Sequence, residues 1–245
     1  MTRPMHSLKF LPPVIAHRGG SVYAPENTMI ALSKAASFGA SWVEFDVMLS
    51  ACGETILFHD ETLERTTNGV GLVADFPYAY LHTLDAGAWF DSRFAGECIP
   101  TLSQALIFLK EMGLSANIEI KPAKGQDERT VVRVLEVVER IVTDPHSILF
   151  SSFSLIALRL LRRLLPSSQV GFLMDPWLKD WRGLCDELQC VSLHVNEAQL
   201  TAARVHEVKN AGLLLLSYTV NDPKRIKELL AWGVDAVFSD DLGVI

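Results

Sequence analysis

Short apolar runs alternate with helical patterns along the whole of this 245-residue chain, and this alternation limits the folds that it can adopt. Strands that alternate with helices are typical of parallel sheets in α/β proteins. The runs predict nine strands, centred on Ile15, Val43, Leu57, Ile118, Leu149, Gly171, Ser192, Leu215 and Val237.

Four of the intervening helices have recognisable ends. They are predicted to run from Asn27 or Thr28 to Gly39, from Thr101 or Ser103 to Gly113, from Asp127 to Val142, and from Asp222 to Gly233. In the last of them, an aspartate at the N-cap, a proline in the first turn and a glycine after the end suit those positions.

The second and third strands are separated only by Ser50–Glu54. Parallel strands need a connection of a dozen or more residues, so this pair is predicted to be an antiparallel hairpin. Without the return strand, eight strand–helix units remain, which fits a closed (β/α)8 barrel, the TIM barrel, of about 250 residues. A doubly wound open sheet is the alternative, because strand number does not prove closure.

No low-complexity linker divides the chain, so we expect one catalytic domain over residues 1–245. The stretch at about 61–100 has no strong period and contains several glycines. Long irregular insertions at the catalytic end of a barrel shape or cover the pocket. We therefore expect this insertion over the mouth of the barrel.

Polar side chains stand where four of the predicted strands end. They are His17 and Arg18, Glu44 and Asp46, His59 and Asp60, and Glu119 and Lys121. Charged groups are costly in buried runs unless they are paired. Any one of these positions could be a solvated turn, but four of them at strand ends favour a shared site.

The chemistry of this set is consistent. Three carboxylates could share a divalent cation, two histidines could move protons, and an arginine and a lysine could hold a phosphate. A hairpin folded about Cys52 and Gly53 would place His59 opposite Phe45, beside Glu44 and Asp46. These residues predict metal-assisted cleavage of a phosphate ester. The other histidines, including His194 at the end of a strand, are interpreted as structural.

Composition excludes other classes of partner. The net charge is −7 and no run of Lys and Arg occurs, which argues against nucleic acid. Residues 1–13 have no apolar stretch of signal-peptide length, and no later segment could span a bilayer. The four cysteines lack a metal-ligand pattern. We expect a cytoplasmic protein without stable membrane association; a homodimer stays open, although no motif supports one.

Several motifs together resemble the glycerophosphodiester phosphodiesterases, and most closely the cytosolic bacterial members. The resemblance covers almost the whole chain, including the insertion. It is carried by His17-Arg18-Gly19, Pro25-Glu26-Asn27-Thr28, Glu44-Phe45-Asp46-Val47, Phe58-His59-Asp60, Glu119-Ile120-Lys121 and Tyr218-Thr219-Val220-Asn221.

The resemblance implies a TIM barrel that hydrolyses glycerophosphodiesters, such as those of choline, ethanolamine or glycerol, to sn-glycerol 3-phosphate and an alcohol. It implies one divalent cation, Mg²⁺ or Ca²⁺. The implied roles are metal ligands for Glu44, Asp46 and Glu119, acid/base catalysis for His17 and His59, and substrate contacts for Arg18, Lys121 and Tyr218. Tyr218 stands where tryptophan is common, and Cys52 where the hairpin turn usually has Asp or Asn.

The nucleophile is left open by the sequence, since it could be water or the glycerol 2-hydroxyl. Two other functions are compatible with the same barrel. One is a lysophospholipase D-like or cyclising activity on lysophospholipids, against which the lack of a basic or apolar membrane-binding helix counts. The other is a non-catalytic glycerophosphodiester-binding protein, which would have no need of both histidines.

Overall fold

The computed structural model describes Leu8 and residues 10–244, so the ends of the expected domain lie outside it. All nine predicted strands occur in this part of the chain. They are β1 (Val14–Ala16), β2 (Trp42–Leu49), β3 (Thr55–Leu57), β4 (Ser115–Ile120), β5 (Ile148–Ser152), β6 (Val170–Met174), β7 (Ser192–Asn196), β8 (Leu214–Tyr218) and β9 (Ala236–Ser239).

The sheet closes into a barrel. Its strand order is β1-β9-β8-β7-β6-β5-β4-β2-β3, and β1 also pairs with β2, with Ala16 beside Val43. In the described chain the barrel consists of the eight parallel strands, and β3 is the antiparallel return strand of a hairpin with β2. The TIM-barrel prediction is confirmed, and the open-sheet alternative is wrong.

The hairpin has the predicted register. Val47 pairs with Leu57 and Leu49 with Thr55. Continued by two residues, this register sets His59 opposite Phe45, and the amide of Phe58 donates to the carbonyl of Asp46 at 3.1 Å. The chain therefore leaves β3 at the end of the barrel where β2 presents its acidic residues.

Eight α-helices are present in the described residues. They are α1 (Met29–Ser37), α2 (Tyr78–Leu81), α3 (Leu102–Met112), α4 (Asp127–Ile141), α5 (Leu155–Leu164), α6 (Trp181–Glu187), α7 (Ala202–Asn210) and α8 (Pro223–Trp232). Thr28, Thr101 and Asp222 accept backbone amide bonds as N-caps, and Gly113 and Gly233 end their helices with positive φ. The four predicted helices are confirmed.

Apolar side chains occupy three regions. The largest cluster lies between the strands and the surrounding helices, as Phe45 and Leu158 illustrate. A second cluster, with Ile15 and Leu216, fills the barrel interior. The third joins the hairpin to the segment at 61–100, where Ile56 packs with residues such as Leu63, Val73 and Leu81. The insertion thus has a small core of its own, built on the hairpin that carries His59.

None of the helices that the structure describes is both long and apolar enough to cross a bilayer.

The turn after β1 depends on a glycine. Residues His17–Gly19 form a tight turn in which Arg18 has a non-helical φ of +50° and Gly19 has a φ of +85°. A Cβ at Gly19 would lie 2.8 Å from both the carbonyl carbon and the Cβ of Ala31 in α1. A side chain here would displace either α1 or the turn that presents His17 and Arg18.

We predict that Gly19→Ala destabilises the fold more than Gly39→Ala, by at least about 1 kcal/mol. Gly39 is the matched control, because its φ is +82° but a Cβ there would meet no atom of the described structure within 4 Å. Only the left-handed strain, roughly 1–2 kcal/mol, should apply at Gly39. Urea denaturation of both variants checks the difference, and equal losses would contradict the steric argument.

Candidate active site

Three carboxylates meet on the neighbouring strands β2 and β4. Glu44 and Asp46 alternate along β2, and the β2–β4 register sets Asp46 beside Glu119. One oxygen from each of the three lies within 4.8 Å of the others, and Glu44 and Asp46 are almost completely buried. The structure therefore brings together the three residues that the sequence analysis grouped as metal ligands.

This proximity changes the acidity of all three groups. Burial, with Asp46 and Glu119 nearby, holds the pKa of Glu44 well above its ordinary value. Burial and the Asp46 charge raise the pKa of Glu119 to about 7. Burial would also raise the pKa of Asp46, but the Arg18 guanidinium and the Lys121 ammonium outweigh it and lower the value. The three carboxylates therefore resist being ionised together.

The donor set fits a hard divalent cation. All three side chains offer oxygen, the ligand that Mg²⁺ and Ca²⁺ take. Moreover, Glu119 Oε1 is buried and makes no hydrogen bond among the described residues, its contact with Lys121 Nζ at 3.5 Å being an ion pair. Buried polar atoms in native structures are normally paired, so this oxygen is in place to take a ligand that is not a protein atom.

Two cations border the cluster. Arg18 Nε lies 3.4 Å from Asp46 Oδ2, and Lys121 Nζ lies 3.6 Å from Asp46 Oδ1 and 3.5 Å from Glu119 Oε1. The backbone amide of Arg18 also donates to Glu44 Oε2 at 3.0 Å. The two positive side chains are thus held beside the acidic centre, where they could bind an anion.

The His17 ring lies between two carboxylates. Its Nε2 is 3.8 Å from Glu44 Oε2, and its Nδ1 is 2.6 Å from Asp240 Oδ1. Ser21 and Asn221 donate to the same Asp240 carboxylate at 2.5 and 2.8 Å. Burial opposes the ionisation of Asp240, but the hydrogen bonds, with that from His17 the strongest, lower its pKa. Asp240 therefore fixes the orientation of the His17 ring.

A similar arrangement holds His59. Its Nδ1 lies 2.6 Å from Asp60 Oδ1. Arg65, from the insertion, donates to both oxygens of Asp60 and to both oxygens of Glu26, at 2.5 to 2.9 Å. Glu26 in turn accepts from Arg18 at 2.7 Å. Burial lowers the pKa of His59, so its neutral form is favoured.

Several of these supporting residues were not predicted from the sequence to belong to the site. Asn27 is one, with a left-handed φ of 57°. Its Nδ2 donates to Asp46 Oδ2 at 2.9 Å, and its Oδ1 accepts from the Asp46 amide at 3.2 Å. Asp240, Glu26 and Arg65 are the others. The available signal was the Pro25–Thr28 motif, which helps to carry the family resemblance but was given no role.

Tyr218 contributes its ring to the cavity. The ring packs edge-on against Phe153, with centroids 6.0 Å apart. Its hydroxyl donates to the carbonyl of Met174 at 3.2 Å, and burial raises its pKa. Tyr218 therefore lines the cavity, while its hydroxyl is bound to the backbone at the end of β6.

The histidines, the cations and the acidic cluster surround one cavity of about 160 Å³. Its lining includes His17, Arg18, His59 and Lys121 at the strand ends, and Glu44 and Glu119 from the acidic cluster. The fold and this site define a (β/α)8-barrel enzyme with carboxylates for a cation and basic side chains for an anion.

The chain belongs to the glycerophosphoryl diester phosphodiesterase family, whose sequence model matches residues 17–244. A glycerophosphodiester phosphodiesterase of Caldanaerobacter subterraneus subsp. tengcongensis is 34% identical over 234 residues, which cover 93% of each chain. Like its relatives, the protein is a hydrolase of phosphoric diesters.

Solved structures agree with this membership. A phosphodiesterase from Oleispira antarctica, in complex with the product sn-glycerol-3-phosphate, has a TM-score of 0.92 and 39% identity, covering 96% of this chain and 95% of that one. A glycerophosphodiester phosphodiesterase from Agrobacterium tumefaciens has a TM-score of 0.79 and 29% identity, covering 96% and 98% of the two chains.

We predict that Mg²⁺ or Ca²⁺ raises the melting temperature more at about pH 8 than at about pH 5.5. In the cation-free protein the pKa of Glu119 is raised to about 7. Protonated Glu119 therefore contributes fully to the stability of the fold below the pKa that glutamate has in the unfolded chain, and this contribution is lost as pH rises through about 7. A cation removes this loss, and binding at a hundredfold excess over Kd is worth about 2.7 kcal/mol.

Thermal denaturation with the cation or with EDTA checks this prediction. Glu119→Gln should lose most of the cation response, whereas Glu111→Gln, at an exposed position of α3, should keep it. A response that is independent of pH, or that survives in Glu119→Gln, would show that the cation binds elsewhere.

Proposed function

We propose that this protein hydrolyses glycerophosphodiesters to sn-glycerol 3-phosphate and an alcohol, with one divalent cation held by Glu44, Asp46 and Glu119. The observation that carries the proposal is the meeting of these carboxylates, within 4.8 Å, at the cavity that Glu44, Glu119, His17 and His59 line. The sn-glycerol-3-phosphate bound by the Oleispira antarctica relative supports the product.

The charged residues bind and orient the phosphate. A divalent cation held by Glu44, Asp46 and Glu119 would supply Lewis-acid stabilisation of the charge that develops on the phosphoryl oxygens. Arg18 and Lys121 bind non-bridging oxygens from the sides, and Asp46 stays ionised because these two cations lower its pKa. The Glu26 and Asn27 contacts keep Arg18 and Asp46 in place before substrate arrives.

The two histidines move the protons. His59 is the base, because burial lowers its pKa and leaves the ring neutral and able to accept a proton from the nucleophile. His17, which lies against the carboxylates of Asp240 and Glu44, donates a proton to the departing alcohol. Each ring binds a carboxylate through Nδ1, an arrangement that orients the ring and fixes its tautomer.

We place the reaction in the cytoplasm, on small-molecule diesters rather than nucleic acid. No disulfide joins any of the four cysteines in the described chain, as expected in a reducing compartment. The net charge of −7 disfavours a polyanion, whereas a single phosphate needs only the local cations Arg18 and Lys121.

Release of sn-glycerol 3-phosphate from glycerophosphocholine tests the activity. We expect release with added Mg²⁺ or Ca²⁺, at least about a hundredfold less after EDTA, and recovery when the cation returns. Phosphorus NMR identifies the product, since a cyclic phosphate that persists would indicate the cyclising reaction. Undiminished release in EDTA would remove the cation from the mechanism.

We expect His17→Ala and His59→Ala each to lower kcat at least about a hundredfold while the fold persists, because a general acid or base contributes about 10²–10⁴-fold. His206→Ala is the control, since His206 is exposed on α7 and outside the cavity. Circular dichroism establishes folding, and initial rates at saturating substrate give kcat. Turnover near that of the unmodified protein in both variants would exclude proton transfer by these rings.

A further inference from the structure

A layer of neutral polar side chains lies inside the barrel on β4, β5 and β7. Asn117, Ser151, Ser192 and His194 are all buried, with exposures of 0% or 1%. Barrel interiors are ordinarily filled by bulky branched residues. This polar layer plays no part in the proposed handling of the phosphate, so its presence needs another explanation.

His194 is bonded on one side only. Its Nε2 lies 2.9 Å from Ser192 Oγ, while its Nδ1 is buried without a hydrogen-bond partner among the described residues. Burial lowers the pKa of His194 to about 3, so the ring is neutral. Whichever nitrogen carries the proton, Nδ1 is then a donor or an acceptor that nothing satisfies.

Asn117 shows the same deficit. Its Nδ2 donates to Ser151 Oγ at 2.9 Å, but the buried Oδ1 has no partner in the described part of the chain. Turning the amide over would pair the oxygen with the serine and leave the nitrogen unpaired instead. An unsatisfied buried polar atom costs about 1–3 kcal/mol. Asn117 and His194 each have one such atom beside one that is hydrogen-bonded.

The backbone leaves room for the His194 ring. A Cβ on Gly171 of β6 would lie 2.4 Å from His194 Nε2 and 2.8 Å from Ser192 Oγ. Any larger residue at this position would push the imidazole out of its place. Gly171 therefore allows a polar ring where a barrel would otherwise have an aliphatic side chain.

Both unsatisfied side chains line the cavity that holds the acidic cluster. At about 160 Å³ it far exceeds the roughly 10–15 Å³ that one water molecule needs. Leu173 and Phe238 also line it, so the polar atoms are few and separated by apolar surface. Such a wall selects a ligand by the position of a few polar groups.

We propose that Asn117 and His194 form a subsite for the hydroxyl groups of the glycerol arm of the substrate. This inference rests on the proposed function and identifies which end of the diester enters the barrel. A hydroxyl both donates and accepts, so it satisfies an amide and a neutral imidazole in any orientation. An ionic group would be poorly solvated there, and an alkyl arm would leave both polar atoms unpaired.

Binding of two monophosphates to the cation-loaded protein tests the subsite without requiring turnover. sn-Glycerol 3-phosphate and propyl phosphate share the phosphate and the three-carbon arm but differ by two hydroxyls. Calorimetry should give at least about tenfold tighter binding of sn-glycerol 3-phosphate. Equal affinities in the unmodified protein would overturn the proposal before any variant is made.

His194→Phe and Asn117→Leu should each reduce this preference at least about threefold, with propyl phosphate affinity changed less than about twofold. Ser217→Ala is the matched control, because Ser217 is a buried barrel hydroxyl that is already bonded to the carbonyl of Val195. It should keep the preference. A thermal transition for each variant establishes folding, and either folded variant suffices for the test.

A preference that persists in a folded variant, or an equal loss for both ligands, would mean that the layer holds only water or supports the fold. The proposed function fails separately. If sn-glycerol 3-phosphate binds with the expected preference but no diester is hydrolysed, the subsite stands and the hydrolytic mechanism does not.

Discussion

Mutual repulsion of three buried carboxylates is the constraint on which the rest of this site depends. Asp46 and Glu119 make the ionisation of Glu44 more difficult, Asp46 does the same to Glu119, and burial removes the water that would screen these charges. The barrel tolerates the cluster because β2 and β4 are paired along six residues and cannot separate. Arg18 and Lys121 offset part of the negative charge, but Arg18 is also ion-paired with Glu26. A dication is therefore the natural complement of the folded chain.

The insertion takes part in this electrostatic arrangement through Arg65. Arg65 binds Asp60 behind His59 and Glu26 behind Arg18, so a single side chain spans the supports of a proton carrier and of a phosphate ligand. Because Glu26 holds two guanidinium groups, its pKa is lowered despite its burial. A displacement of the insertion would consequently disturb the site from two directions, although the insertion contributes no member of the acidic cluster.

The sequence was sufficient for the barrel because each strand and helix carries local signals, and the five residues between β2 and β3 exclude a parallel pair. It also identified the acidic cluster, since Glu44, Asp46 and Glu119 interrupt apolar runs. It could not identify Asp240 as the partner of His17, because 223 residues separate them and only closure of the barrel brings β9 beside β1. His194 was interpreted as structural because an unpaired ring nitrogen is visible only when every neighbour is known.

Charged, neutral polar and apolar side chains share the barrel interior, and this mixture connects the stability of the fold with its chemistry. Glu44 pairs in register with the neutral Asn117 across β2 and β4, while an apolar layer that includes Trp42 and Leu149 packs inside the barrel. The charged groups that line the cavity can be balanced by a cation and a phosphate. The weakly polarisable interior also strengthens the interactions at the acidic cluster, because little water is present to screen them. The layer that stabilises the barrel therefore makes the charges at its mouth more effective.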